Sequence, residues 1–122
     1  MDYAIAVHAG AVESRRPVED EIIEGFRHGL ADALARGRDL LEDDGSALDA
    51  VETAVRAMED CPLFNAGRGA SLSATGAIQM DAAIMDGQDL GCGAVIGLKH
   101  VINPVRAARL VMERTPHALF TR

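Results

Sequence analysis

The stretch that decides the fold runs from Cys61 to Gly87 and reads CPLFNAGRGASLSATGAIQMDAAIMDG. Its first nine residues include two glycines, which permit backbone conformations that other residues avoid, so we expect an irregular loop there. Beyond the loop, apolar residues and turn signals predict strands over Ala70–Leu72 and Ala77–Met85, joined by a turn at Thr75-Gly76. The closing Asp-Gly pair is a second turn signal. The segment therefore predicts a glycine-bearing loop that leads directly into a sheet.

Further strands are predicted on both sides of this segment. Tyr3–Val7 is almost wholly apolar and predicts a strand buried on both faces, as in layered α/β proteins. Cys92–Leu98 predicts a strand that contains glycines, and His117–Phe120 predicts the start of another, for which we expect little to pair with. The pattern predicts the α/β class, with helices layered on a sheet.

Three helices are predicted between these strands. Pro17–Arg36 has apolar residues at helical spacing, and the helix either ends at Gly37 or is continued by the apolar pair at positions 40 and 41. Ser46–Asp60 begins with an N-cap serine and is rich in alanine, which allows close packing. Asn103-Pro104 predicts an N-cap followed by the first helical residue of a helix that ends near Glu113. We expect the first two helices to pack on one face of a sheet that contains the first strand.

Composition excludes several classes of function. The net charge of −7 argues against non-specific binding to nucleic acid, because that binding depends on Lys and Arg neutralising phosphates. Hydrophobic residues make up 48% of the chain, which is typical of a globular protein, and no apolar run approaches the ~20 residues of a membrane span. The N-terminus shows no signal-peptide pattern, so we expect a cytoplasmic protein without membrane contact.

Four residues are candidates for chemistry on residue type alone. His8 follows the first predicted strand, where ligand crevices form in open α/β sheets. Asn65 offers a donor and an acceptor in the glycine-bearing loop, for which a functional site and a purely structural turn are equally good interpretations. Asp81 lies in an apolar run, so we expect a buried carboxylate that needs a partner or an ion. Cys92 lies between two glycines with no group beside it in the sequence that would activate its thiol, and the residues alone identify no nucleophile.

Five motifs in chain order resemble one known family, the plant-type (type III) L-asparaginases, also called isoaspartyl peptidases. They are VHAGA from Val7, SALDAV from Ser46, PLFNAGRGA from Pro62, MDAAIMDG from Met80, and Asn103-Pro104 through Met112 to Thr115-Pro116-His117. The resemblance spans essentially the whole chain. It is similar to the N-terminal, α-chain portion of these proteins.

The resemblance implies an N-terminal nucleophile hydrolase with an αββα sandwich, incomplete in this chain. In that family a precursor cleaves itself, and the new terminal threonine of the β chain acts as nucleophile with its own amine as base. Residues 1–122 are then expected to form a single domain fragment that resembles the α chain. The nucleophile-bearing β portion and the substrate-holding Arg and Asp are expected beyond Arg122, so this chain alone should be inactive.

The resemblance also implies which residues surround the site. Asn65 would support the nucleophile by hydrogen bonding, and His8 and Gly10 would belong to a glycine loop near the active site, where Ala9 replaces a usual glycine. Cys92 stands where the family usually has alanine, which favours packing over catalysis. The expected cofactor is a structural sodium ion, with no organic cofactor. Its ligands would be the backbone carbonyls of Met58, Glu59, Cys61, Phe64, Ala66 and Arg68.

The implied function is hydrolysis of L-asparagine and of β-aspartyl (isoaspartyl) dipeptides, with a β-chain-like partner or C-terminal half supplying the nucleophile. We expect a homo-oligomer that acts on small molecules and binds neither nucleic acid nor membrane. The alternative is a truncated, non-catalytic homologue with a scaffold or interaction role. A Gly-Thr-Val-Gly-like segment after Arg122 would favour the enzyme.

Overall fold

The structure is a computed structural model that describes residues 2–10 and 17–121. It divides into two compact units, Met1–Met58 and Glu59–Arg122. Two helices precede a small sheet that a third helix covers, so the predicted class of helices layered with a sheet is confirmed. The sequence also predicts a turn over Ala9–Arg16, of which residues 11–16 lie outside the described residues. Within the described ranges no helix is both long enough and apolar enough to cross a membrane.

The first unit contains two helices, α1 (Asp20–Glu42) and most of α2 (Ala47–Asp60). Of the two predicted ends of α1, the longer is confirmed, because the helix continues through Gly37. An ideal Cβ on this glycine would lie 2.5 Å from Ile5 Cδ1 and 3.1 Å from the carbonyl oxygen of Ala50. Glycine is therefore required there for α2 to approach. Helix α2 begins as predicted, with the Ser46 Oγ accepting the backbone N–H of Asp49 at 3.0 Å.

The predicted strand Tyr3–Val7 is wrong as a strand in this chain. None of residues 2–10 joins a β-ladder in the described structure. Ile5 and Val7 are half-buried, and the other three residues of this run are exposed. The run is covered on one side only, so the expectation of burial on both faces is wrong as well.

The second unit contains a three-stranded sheet in the order β1-β2-β3. β1 (Met80–Met85) pairs antiparallel with β2 (Cys92–Leu98), and β2 pairs parallel with β3 (Leu119–Thr121). β2 has its predicted bounds. The expectation that the last strand lacks a partner is wrong, because Leu119 lies opposite Ala94 in a parallel ladder.

The hairpin predicted over 70–85 is mostly a loop. Its first strand, Ala70–Leu72, is reduced to an isolated bridge between Leu72 and Ile78, and regular pairing starts only at Met80. The turn at Thr75-Gly76 is confirmed, since the Ser73 N–H donates to the Ala77 carbonyl at 2.8 Å. The backbone turns as predicted, but before Met80 too few residues pair to form a strand.

Helix α3 (Pro104–Arg114) covers one face of the sheet. Its buried residues face the buried residues of β1 and β2; together these are Val105, Ala108, Val111, Met80, Ile84 and Val95. Contact is closest at Gly93, where an added Cβ would lie 2.1 Å from the Ala108 carbonyl oxygen. The opposite face of the sheet is open and carries Met85 and Ile96, which are 58% and 45% exposed.

Candidate functional site

The segment Glu59–Gly69, called the carbonyl loop below, begins in the last turn of α2 and ends in a 3₁₀ turn at Gly67–Gly69. Gly67 is buried and has a φ of +50°, and an ideal Cβ there would lie 2.3 Å from the carbonyl oxygen of Glu59. On Gly69, an ideal Cβ would lie 2.0 Å from the Phe64 carbonyl oxygen and 2.6 Å from that of Pro62. Three carbonyl oxygens therefore lie so close to Gly67 and Gly69 that only glycine leaves room for them.

The electrostatics of the carbonyl loop suit a cation. The last four carbonyls of a helix have no partner within it and carry the negative end of the helix dipole. Helix α2 has no basic residue in its last turn, and its last two residues are Glu59 and Asp60. The donor set that the resemblance implies consists of oxygen atoms, which hard cations such as sodium prefer. An acidic helix end beside backbone oxygens is compatible with a hard cation, and the sodium ion itself stays a prediction.

The predicted metal ligands occupy different settings. Phe64 and Glu59 are buried, Cys61 and Ala66 are half-buried, and the Arg68 side chain is exposed. The carbonyls of Cys61, Phe64 and Ala66 each accept one backbone N–H, at 3.3, 2.8 and 3.0 Å, and a carbonyl oxygen has a second lone pair. Met58 is the last residue of the first unit, and its role stays a prediction. No group of three His, Cys, Asp or Glu side chains that could hold a metal occurs within 2–10 or 17–121.

Two consecutive carboxylates attach the start of the carbonyl loop to the start of α3. The Glu59 side chain is only 3% exposed, and its Oε1 accepts the backbone N–H of Val105 at 3.0 Å. Asp60 Oδ1 accepts the side-chain amide of Asn103 at 3.1 Å. Asn103 occupies the predicted N-cap position of α3, but its side chain makes no capping hydrogen bond. The partner residues are more than 40 positions apart, so the sequence pattern gave no signal for either contact.

A polar cavity of about 210 Å³ lies beside the carbonyl loop. It is lined by Glu59, Asn65, Ala66, Gly67, Ala70, Gln79, Met80, Asp81 and Pro104. Asn65 Oδ1 accepts the backbone N–H of Ser71 at 2.8 Å, which fixes the plane of its amide group. The structure thus brings Asn65 of the carbonyl loop together with Gln79 and Asp81 at one cavity.

Asp81 corrects the expectation of a buried carboxylate. The residue is exposed, and its Oδ1 accepts the backbone N–H of Gly97 at 2.8 Å. At this point the pairing of β1 with β2 shifts, so that Asp81 stands opposite both Ile96 and Gly97. Gly97 has a φ of +74°. The carboxylate therefore binds a backbone donor at a β-bulge, and no ion is needed to explain it.

His8 and Gly10 belong to the first unit, as does a second, largely apolar cavity of about 210 Å³. His8 lines that cavity with Val7, Val51 and Met58, among others. Gly10 has a φ of +120° and nothing within 4 Å of an added Cβ. Glycine is required there by the backbone conformation and not by a close neighbour. Whether these residues belong to the same site as Asn65 stays a prediction.

The structure also gives the surroundings of hydroxyl and thiol groups that are potential nucleophiles by residue type. Ser73 Oγ accepts the Ala77 N–H at 3.2 Å and lies 3.0 Å from the Thr75 hydroxyl, so it stabilises the turn. Cys92 is a free, exposed thiol in β2, and Cys61 is a free, half-buried one. Cys92 therefore lies on the open face of the sheet and is not part of its core.

A sequence-family model described as asparaginase matches residues 1–122. The isoaspartyl peptidase/L-asparaginase of Rattus norvegicus is 47% identical over 99% of the chain, which covers 35% of the rat protein. The isoaspartyl peptidase of Salmonella typhimurium is 47% identical over 94% of the chain and 37% of its own length. The plant-type L-asparaginase of Thermococcus kodakarensis is 50% identical over 95% of the chain, which covers 37% of the archaeal protein. The chain therefore spans little more than a third of the length of these curated relatives.

Proposed function

The chain belongs to the asparaginase family whose model spans all its residues, and we propose that the natural protein containing it hydrolyses L-asparagine and β-aspartyl dipeptides. The observation that carries this proposal is the 47–50% identity over almost the whole chain to relatives named for these two activities. Both substrates present the same β-carbonyl group to a nucleophile. One site can therefore release ammonia from asparagine or an amine from an isoaspartyl bond.

The proposed nucleophile is an N-terminal threonine on a β part outside these 122 residues. Its hydroxyl attacks the β-carbonyl, its own amine takes the proton, and ammonia or the amine product leaves. Water then hydrolyses the ester and restores the threonine. On this proposal the 122 residues are an α-chain-like part, produced by self-cleavage of a precursor, and are inactive without their β partner.

Asn65 is the proposed contribution of this chain to the chemistry. Its Oδ1 is occupied by the Ser71 N–H, so the two N–H donors of its amide are the groups that would bind the nucleophile's oxygen. His8 and Gly10 would form the glycine loop near the same nucleophile. The positive φ of Gly10 supports that role, because an ordinary side chain disfavours this conformation.

The carbonyl loop is proposed to hold a structural sodium ion. The carbonyls of Glu59, Cys61, Phe64, Ala66 and Arg68, with that of Met58, would be its ligands. The close approach of the Glu59 carbonyl oxygen to Gly67, and of the Phe64 carbonyl oxygen to Gly69, supports this proposal, as does the acidic end of α2. A bound sodium ion would fix the loop that carries Asn65, and would itself take no part in the bond-breaking steps.

A cytoplasmic homo-oligomer of α and β parts is the proposed assembly. The competing function is that of a truncated homologue with a scaffold or interaction role. This alternative is supported by the chain covering only about a third of the length of each relative. Ammonia release from L-asparagine by the natural protein distinguishes the two, since only the enzyme produces it.

Asn65→Asp provides the residue-level test. Aspartate keeps the oxygen that accepts the Ser71 N–H but loses both N–H donors, so we expect a folded protein with kcat lowered by about 100-fold, as for loss of one oxyanion-type donor. Asn65→Ala loses both contacts and should also lower the melting temperature. Unchanged kcat in Asn65→Asp would contradict the proposed role.

A further inference from the structure

The start of α3 is attached to the carbonyl loop by side chains, not only by packing. Val105 occupies the second position of α3, where a backbone N–H has no partner within the helix. The Glu59 carboxylate supplies that partner from the end of α2, and Asp60 binds the residue that precedes α3. The negative carboxylate also lies at the positive end of the α3 dipole.

The same residue contributes its backbone to the carbonyl loop. The Glu59 carbonyl oxygen lies 2.3 Å from where a Cβ on Gly67 would stand. Glu59 is 3% exposed, and its side chain accepts the Val105 N–H in a buried hydrogen bond. Glu59 is therefore held from two sides: α3 binds its side chain, and Gly67 lies against its backbone carbonyl.

We propose that Glu59 is a positioning residue for the cation. Its buried carboxylate binds the first turn of α3, and this contact orients the Glu59 backbone carbonyl, and the loop after it, toward the ion. This inference rests on the proposed sodium site. Because coupling between two equilibria is reciprocal, sodium binding must in turn stabilise the start of α3. Outer groups that orient metal ligands change metal affinity by about 10- to 100-fold when they are removed.

The test compares the natural protein with Glu59→Gln and Glu59→Ala. Melting temperatures are measured over a sodium titration, at constant ionic strength made up with tetramethylammonium. Glutamine keeps a side-chain oxygen for the Val105 N–H, whereas alanine removes it. We expect sodium affinity about 10- to 100-fold weaker in Glu59→Ala and largely retained in Glu59→Gln. Glu21→Ala, which removes an exposed carboxylate from the first turn of α1, is the matched control and should bind sodium as the parent does.

Each outcome decides the question. Parent-like sodium affinity in Glu59→Ala, with only a lower melting temperature, would overturn the inference and leave the sodium site standing. A parent that melts identically in both cations would overturn the sodium site and the inference together, while the asparaginase assay remains a separate test. If Glu59→Ala does not fold, hydrogen exchange of the parent decides: sodium must slow exchange at the Val105 amide, and an unchanged rate would overturn the inference.

Discussion

Replacing Gly67 with alanine tests whether the carbonyl loop depends on both conformation and space at one residue. Gly67 has a φ of +50°, and an added Cβ would lie 2.3 Å from the Glu59 carbonyl oxygen. The left-handed backbone costs a non-glycine residue about 1–2 kcal/mol, and forcing an extra methyl group into packed surroundings costs about 1–3 kcal/mol. We therefore expect Gly67→Ala to lower the free energy of unfolding by about 2–5 kcal/mol.

Two other glycines separate these effects. Gly76 has a φ of +76° but nothing within 4 Å of an added Cβ, so Gly76→Ala should cost only about 1–2 kcal/mol. Gly69 lies outside the left-handed region, but its added Cβ would overlap the Phe64 carbonyl oxygen, so Gly69→Ala should cost about 1–3 kcal/mol. Arg68→Ala, at an exposed side chain between the two loop glycines, should change stability by less than about 0.5 kcal/mol.

Urea unfolding of the natural protein provides the assay, with midpoints compared at a common slope. The reasoning predicts the order Gly67→Ala, then Gly69→Ala or Gly76→Ala, then Arg68→Ala. If Gly67→Ala costs no more than Gly76→Ala, the Glu59 carbonyl does not constrain the loop, and the proposed arrangement of carbonyls around a cation loses its geometric basis.

Three further perturbations test other parts of the structure. Ser46→Ala removes the N-cap of α2 and should cost about 1 kcal/mol in urea unfolding, whereas Ser46→Asn, which keeps an acceptor for the Asp49 N–H and a donor for its carboxylate, should be nearly neutral. Asp81→Ala leaves the Gly97 N–H at the β-bulge without its acceptor and should cost about 1 kcal/mol, and Asp81→Asn, which keeps an oxygen, should recover most of this; equal losses in both variants would refute the assigned contact. Desolvation, followed by the hydrogen bond to the Glu42 carboxylate, raises the pKa of Tyr3 above its ordinary 10.0. Its stabilising contribution is therefore present below pH 10.0 and lost as the pH rises through the raised pKa. Glu42→Gln should lower the midpoint of the phenolate absorbance titration, and an unchanged midpoint would contradict the contact.

Local signals explain why some elements could be predicted from the sequence. The serine before α2 and the proline at the first position of α3 satisfy or remove N–H groups at helix starts, and both helices begin where these signals place them. Strand β2 has its predicted bounds because its apolar run is enclosed by turn residues. In each case the cause lies within a few residues of its effect.

The remaining features depend on partners that are distant in sequence. Tyr3–Val7 has the composition of a strand, but composition cannot supply a neighbouring strand, and in this structure the run joins no ladder. Leu110 is an apolar residue of α3, yet it is 55% exposed, because the sheet covers only the side of the helix that carries Val105 and Val111. The same limit applies to the candidate site. Asn65 could be identified from its loop, whereas the contact of Glu59 with Val105 spans 46 positions and left no local signal.

The measurement that tests the central claim most directly is the release of free aspartate by the natural protein from a β-aspartyl dipeptide, with the α-aspartyl isomer as control. The two peptides have the same composition and differ only in which carbonyl forms the peptide bond. Attack at the β-carbonyl predicts steady aspartate release from the β-linked peptide and none from the α-linked one. No release from either peptide, or equal release from both, would contradict the account.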